Sequence, residues 1–390
     1  MKAILFNLHD VMQFITIYQC VLFALFLWLF RSKRRGNVLL ALFLFAQAAI
    51  PLDNLIMYGT AFRQWAIDFS PNIFYLFGHA YWLEAPLLLL YVRAMIYRDY
   101  RIKRSDWLLF LPFVAYVLFE VVNYYRLDYA AKVVILQGYD TFAPPKLTLS
   151  VGFLRELFRI VCGILALIEL LRYQKRIKDE FADIEKIDLT WLKILVLGFL
   201  AVRMDSMFVS TTLISSFAPS LGIDLDFWGL AADYAAMLLV SALIFFSMGH
   251  SQVFAGFSQP ETKEAEKPEE KPIISPEQIS QLETYMKEKK PYLNCLLNLE
   301  NLSKQLQMSR GNLSQLINRH YQQNFFDFIN TYRIDECKRL LSDPANKNQT
   351  MLEIMENAGF NSKASFNTFF KKKVGMTPTE FREKLNQTAS

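Results

Sequence analysis

The chain has 390 residues, of which 53% are hydrophobic and 15% aromatic, and its mean hydropathy is positive. A wholly water-soluble protein with that apolar load would aggregate, so the apolar residues are expected in long lipid-facing runs. The net charge of +5 says little until it is located along the chain. Four scattered cysteines (Cys20, Cys162, Cys295, Cys337), with no C-x-x-C pair, support neither a disulfide framework nor a zinc site.

Positions 11–249 carry nearly all the long apolar runs, whereas 250–390 have the make-up of an ordinary soluble domain. Met1 to Asp10 holds one lysine and no small-residue cleavage pattern, so the first apolar run reads as a retained helix. A helix needs about 20 residues to cross the bilayer core. On that length the spans are 11–30, 38–59, 73–97, 107–125, 151–173, 191–217 and 227–249.

Basic residues sit in alternate loops. Arg31, Lys33, Arg34 and Arg35 are in the first, Arg98, Arg101, Lys103 and Arg104 in the third, and Arg172, Lys175, Arg176, Lys178 and Lys186 in the fifth. The second holds only Arg63, the long fourth holds Arg126, Lys132 and Lys146, and 218–226 holds none. Positive charge marks the cytoplasmic side, which predicts an outside N-terminus, an inside C-terminal domain and an inner (cell) membrane location. An odd number of spans is required for that result.

Charged groups inside hydrocarbon are costly and mark either function or helix-to-helix adhesion. At about 1.5 Å of rise per residue, Asp53, Glu120, Arg155, Glu156, Arg159 and Asp233 fall in the outer third of their helices. His79, Glu84, Arg203 and Asp205 fall nearer the middle. The inner thirds hold little beyond snorkelling residues such as Arg93 and Lys193. These ten polar groups fit an outward-opening pocket for a small charged or polar ligand. They equally fit interhelical ion pairs, with Gln19, Gln47 and Asn54 adding hydrogen bonds.

No lysine lies in 227–249, which excludes the usual retinal Schiff-base arrangement. Pro51 and Pro86 could kink two spans as in transporters, yet no internal repeat is visible. His79 and Glu84 leave an intramembrane enzyme open, although five positions apart they point in divergent directions. No metal-ligand spacing appears and no cofactor is expected.

Residues 258–275 are charged and proline-bearing, and cannot bury a core. A flexible tether of that length covers on the order of 25 Å. The predicted organisation is a membrane domain over 1–250, a cytoplasmic linker over 251–275 and a soluble domain over 276–390.

Residues 276–290 read as a polar amphipathic helix closed by Pro291. Leu299, Leu302 and Leu306 share one face of a following short helix, and a turn at Gln307-Met308 comes next. Ser309 is placed to cap a second helix over 310–321, whose Leu313, Leu316 and Ile317 have core spacing. Arg310, Asn312, Ser314, Gln315, Asn318 and Arg319 are left outward. A short helix, a turn and a capped helix with a polar outer face fit a DNA major groove.

The pattern returns some fifty positions on. Met351–Ala358 forms a helix stopped by Gly359, and Ser362 caps a second helix with Phe366, Phe369 and Phe370 inward. Outward lie Lys363, Ser365, Asn367, Thr368, Lys371 and Lys372, and the lysines suit phosphate contacts. A long helix from about Phe326 to Leu341 would hold the two reading helices apart. Sixteen basic against twelve acidic residues from Ser275 onward predict modest non-specific affinity for DNA.

The stretch 295–385 resembles the DNA-binding domain of the AraC/XylS family. The resemblance is carried by Arg333-Ile334, Lys338, Leu340-Leu341, Gly359-Phe360, Phe366 with Phe369-Phe370-Lys371, and Gly375-Met376-Thr377-Pro378 before Phe381-Arg382. Cys337 and Met355 stand where the family usually has alanine, and Gln307 where a glycine is common. The resemblance implies one domain that inserts two helices into successive major grooves. It matches Arg310, Gly311, Ser314 and Gln315, then Lys363, Ser365, Asn367 and Thr368, to base-contacting positions, where Gly311 has no side chain to read with.

The expectation is an all-α chain: a seven-helix transmembrane bundle that senses an extracytoplasmic or membrane signal and controls a cytoplasmic, sequence-specific transcription factor. Its expected partners are double-stranded DNA, membrane lipids and a small-molecule or membrane ligand. A second copy in a homodimer, and RNA polymerase if the protein activates, complete the set. Alternatives are a transporter or intramembrane enzyme with an attached DNA-binding domain, or a membrane anchor that releases the domain by proteolysis in 258–275.

Overall fold

A computed structural model describes residues 7–30, 35–97, 100–138, 145–184, 187, 189–215, 224–249 and 275–388. The linker expected over 251–275, except for Ser275, lies outside them, as do Arg31, Lys33, Arg34, Arg98 and Lys186. Among the described residues the secondary structure is helical with no strand, and the one extended pairing is an isolated bridge between Phe181 and Asn298. The chain divides into two compact units: Met1–Leu170 with Thr190–Glu261, and Leu171–Leu189 with Thr262–Ser390.

The bundle unit contains α1 (Leu8–Phe30), α2 (Arg35–Tyr58), α3 (Thr60–Phe69), α4 (Ala80–Ile96), α5 (Leu111–Glu120) and α6 (Tyr129–Gly138). It also takes most of α7 (Pro145–Glu180), then α8 (Thr190–Ser215) and α9 (Leu225–Gly249). α2 packs between α1 and α4, and α8 against α9. Buried leucines on α2 (Leu39, Leu40, Leu44) and α4 (Leu87 to Leu90) supply the core. Trp28, Leu29, Leu118, Val122, Leu238 and Phe245 face outward, as a lipid-solvated surface requires.

Among the described residues, five helical stretches are long and apolar enough to cross a membrane: Leu8–Leu29, Arg35–Tyr58, Pro71–Ile96, Arg104–Tyr125 and Phe227–Phe246. The two other spans expected from sequence coincide with α7 and α8, of 36 and 26 residues. Both have the length. Both carry interior charges (Arg155, Glu156 and Arg159 on α7; Lys193, Arg203 and Asp205 on α8).

Two of the loops between the expected spans are folded. α3 and α6 pack with the 3-10 turn Pro71–Ile73 and the π-helical turn Val121–Tyr125 around Ile56, Ala66, Ile67, Phe74, Tyr124 and Leu136. Arg63 donates to the Leu136 carbonyl at 2.6 Å, and Lys132 donates to Asn72 Oδ1 and the Tyr125 carbonyl, each at 2.9 Å. Cations that read as loop charges are therefore the polar ties of a small cap. Arg93 is paired: Glu169 of α7 accepts from its Nε at 2.9 Å and Asp106 from its Nη1 at 2.6 Å.

The C-terminal unit contains the end of α7 and α10 (Pro276–Lys289), α11 (Leu299–Gln305), α12 (Arg310–His320) and α13 (Phe325–Ser342). α14 (Met351–Asn357), α15 (Lys363–Val374) and α16 (Pro378–Thr388) complete it. It has two cores. Leu282, Leu302, Leu313, Leu316, Phe325 and Phe328 centre one, and Ile334, Cys337, Ile354, Phe366, Phe369 and Phe370 centre the other. α13 feeds its first half to one and its second half to the other, so it sets the separation of the two helix-turn-helix motifs.

Candidate nucleic-acid interface and membrane cavity

Local chemistry builds each motif. Ser309 accepts from the Asn312 N–H at 3.1 Å and starts α12, and Ser362 accepts from the Ser365 N–H at 3.3 Å and starts α15. A side-chain cap replaces an N–H partner that the first turn lacks, worth about 1 kcal/mol. Gln307, in the turn before α12, takes φ +55, and Gly359 takes φ +89 at the matching turn before α15. The glycine is needed on two counts. Any Cβ at Gly359 would also lie 2.4 Å from the Tyr292 carbonyl oxygen.

With Leu313, Leu316 and Ile317 buried, α12 turns Arg319 fully outward and leaves Arg310, Asn312, Ser314 and Gln315 half-buried. Gln315 Oε1 is enclosed with no hydrogen-bond partner. Arg310 is not free, because its Nη2 lies 2.6 Å from Glu180 Oε1. On α15, Phe366, Phe369 and Phe370 are buried while Lys363, Asn367, Thr368, Lys371 and Lys372 are exposed and Ser365 is half-buried. Lys372 stands 5.4 Å over the Phe369 ring and 3.6 Å from Asp327. Gly375 closes α15 at φ +82, just after Lys371 to Lys373.

Arg333, singled out in the sequence, serves structure. It is 1% exposed and donates to the carbonyls of Tyr292 (2.8 Å), Ala182 (3.1 Å) and Asn294 (3.0 Å). Burial pulls its guanidinium below the usual arginine range, to about 10, which still leaves it charged at neutral pH.

In the bundle unit, Arg155, Glu156, Arg159, Arg203 and Asp233 line one cavity of about 840 Å³. Arg159, 1% exposed, is held by Glu156 at 2.9 Å and by Glu84. Gln47 donates to the same Glu84 carboxylate. Arg155 donates to Glu156 at 3.0 Å and lies 4.3 Å over the Tyr81 ring. Arg203 differs from these. It is 7% exposed, its nearest carboxylate (Glu84) is 3.9 Å away, and its Nε has no hydrogen-bond partner.

Across the cavity lining, Asp233 accepts from Gln13 at 2.9 Å and Asn54 at 3.3 Å, with His9 at 3.6 Å. The remaining candidates do not line this cavity. His79 pairs with Glu120 at 2.6 Å, and Asp53 lies against Gly78. Asp205 keeps one buried carboxylate oxygen without a hydrogen bond. His9, Asp10 and Gln13 at the start of α1 escaped the sequence reading, and their i, i+4 spacing (His9, Gln13) was the available signal. Ion-paired adhesion and an open polar cavity thus coexist, with Arg159 in the first role and Arg203 facing the second. Among the described residues no cluster of His, Cys, Asp and Glu is placed to hold a metal ion.

A family model described as a helix-turn-helix domain matches residues 302–384. No curated protein and no solved structure matches the chain. The matched segment starts in α11 and ends in α16, so it includes both capped helices and the helix that separates them. The C-terminal part of the chain is an AraC-type helix-turn-helix domain, which makes this a DNA-binding protein of transcription regulation.

Proposed function

We propose that the chain is a membrane-bound one-component transcription regulator, in which a seven-helix bundle senses a signal and governs DNA binding by the C-terminal domain. The carrying observation is the presence, on one polypeptide, of a DNA-binding domain and, among the described residues, five helical stretches long and apolar enough to cross a membrane. α7 and α8 complete the seven, with Arg159 of α7 paired to Glu84 and Glu156 and Arg203 of α8 buried inside the bundle. The basic loops orient the N-terminus outward and the DNA-binding domain toward the cytoplasm of the inner membrane.

The signal is a small polar or charged molecule bound in the cavity. Arg203, buried with its Nε unpartnered, and Asp233, held by Gln13 and Asn54 beside His9, are the groups that such a ligand would satisfy. A ligand shifts the equilibrium only through different affinity for two states of the bundle. α12 and α15 read the operator through Arg310, Asn312, Ser314, Gln315 and Arg319, and through Lys363, Ser365, Asn367, Thr368, Lys371 and Lys372. Lipids surround the bundle, a homodimer presents two such domains to DNA, and an activating form would engage RNA polymerase.

Genome-wide occupancy of the full-length protein, recovered from the membrane fraction, tests this function. Discrete occupied promoters are expected, and their genes would point to the stimulus. Occupancy only by a released C-terminal fragment would replace sensing with proteolytic release. Solute uptake by reconstituted full-length protein would favour a transporter.

A further inference from the structure

Within the C-terminal unit, the first helix-turn-helix motif already holds a piece of this same chain. Ala182, 1% exposed, belongs to the apolar cluster of Leu302, Leu313, Leu316 and Phe328. Its carbonyl accepts from Arg333 at 3.1 Å and from Asn330 at 3.2 Å, and its N–H donates to the Leu297 carbonyl at 3.3 Å. Phe181 bridges Asn298, and the Tyr173 hydroxyl donates to the Ile187 carbonyl at 2.8 Å, which folds the segment back on itself. Two residues before Ala182, Glu180 ends α7 with its carboxylate 2.6 Å from Arg310. Glu180 is 12% exposed there and Arg310 35%.

Resting on the DNA-binding role assigned above, we propose that the segment around Glu180 is a built-in competitor for DNA. Its carboxylate takes the arginine that a phosphate or base edge must take. Arg310 is the first residue of α12, where its side chain keeps 35% exposure at the N-terminal end of the helix. A guanidinium that already pairs with a carboxylate has fewer donors for phosphate, and the carboxylate repels the incoming anion. The Ala182 anchor makes this pairing a fixed feature, since its backbone is tied by three hydrogen bonds. α7, which ends in Glu180, is the uninterrupted helix that also carries Arg155, Glu156 and Arg159.

Full-length protein in lipid nanodiscs, titrated with a fluorescent duplex cut from a promoter it occupies in cells, tests the competition. Glu180→Gln, nearly isosteric, is expected to tighten binding about three- to tenfold and to steepen the log K against log salt slope by about one phosphate. In an Arg310→Gln background the same change should have little effect, since the two residues act as a pair. Unchanged affinity and slope in Glu180→Gln, with the helical signal intact, would overturn the proposal. An equal gain in both backgrounds would overturn it too, by reducing Glu180 to a general negative charge. Failure of the wild type to bind any occupied promoter is a distinguishable result that removes the DNA-binding reading and the competition together.

Discussion

The Arg333 guanidinium donates to the Ala182 carbonyl at 3.1 Å, joining residues 151 positions apart. The acceptors of this cation are carbonyls and one side-chain amide oxygen, Asn330 Oδ1, so its charge is not neutralised by a hydrogen-bonded carboxylate. Its planar fork is what allows one side chain to reach three carbonyls on two separate backbone segments.

Arg333→Met should therefore destabilise the C-terminal unit by about 3 kcal/mol, because three carbonyls lose a charged donor. Arg333→Lys should recover little, since an ammonium cannot serve all three. Amide hydrogen exchange over 290–300 and 325–340 reads the effect. Protection within about 1 kcal/mol of wild type would show the fork to be dispensable.

Gly359→Ala should cost more than about 2 kcal/mol, from a left-handed backbone together with a methyl set against backbone. The overlap with the Tyr292 oxygen at 2.4 Å cannot be relieved by a flexible side chain. Gly311→Ala is the control: nothing lies within 4 Å of a Cβ there, so it should be neutral or stabilise by up to about 1 kcal/mol. Thermal unfolding of the two variants in parallel makes the comparison, and equal losses would contradict it.

Burial pushes the Cys337 thiol up to about 12, so at pH 8 it stays protonated and enclosed. Cys295 is half-buried and lies outside both cores. A maleimide should label Cys295 in the native protein and Cys337 only after unfolding, as mass spectrometry of the two peptides would reveal. Native labelling of Cys337 would mean that the second core opens readily.

The carboxyl of Glu336 is held below the usual carboxylate range, first by its hydrogen bond from Arg339 and then by Lys290. A depressed folded-state value means stability that is complete above the unfolded carboxyl pKa of about 4.3 and lost as pH falls through the folded value. Glu336→Gln should thus weaken the C-terminal unit at pH 7 and cost progressively less below about pH 4. Urea titrations at pH 7 and below pH 4 would check the sign, and a difference that grows on acidification would refute it.

Both helix-turn-helix motifs were legible because their signals are short-range: Ser309 and Ser362 three residues before the N–H groups they cap, and apolar spacing at i, i+3 and i+4. Gln307 was visible as an oddity at a glycine-favouring turn, and its positive φ gives that oddity a physical meaning. The membrane-crossing stretches were legible for the same local reason, continuous apolar length. α3 and α6 were not, since each is only 10 residues and is held by a cap assembled from four separate segments.

The sequence by itself determined an all-α chain with apolar helices of membrane-crossing length ahead of a two-motif DNA-binding domain. Each of those properties is periodic within a few turns of helix. Only the tertiary structure decided that Arg203 and Asp233 line one cavity while His79 and Glu120 pair elsewhere. It also decided that Ala182 lies in the core of the first motif and that Glu180 occupies Arg310. The Ala182 and Glu180 contacts join a backbone carbonyl and a side chain to partners more than a hundred positions away. A peptide carbonyl is the same at every residue, so no pattern along the chain can announce which one a buried arginine will find.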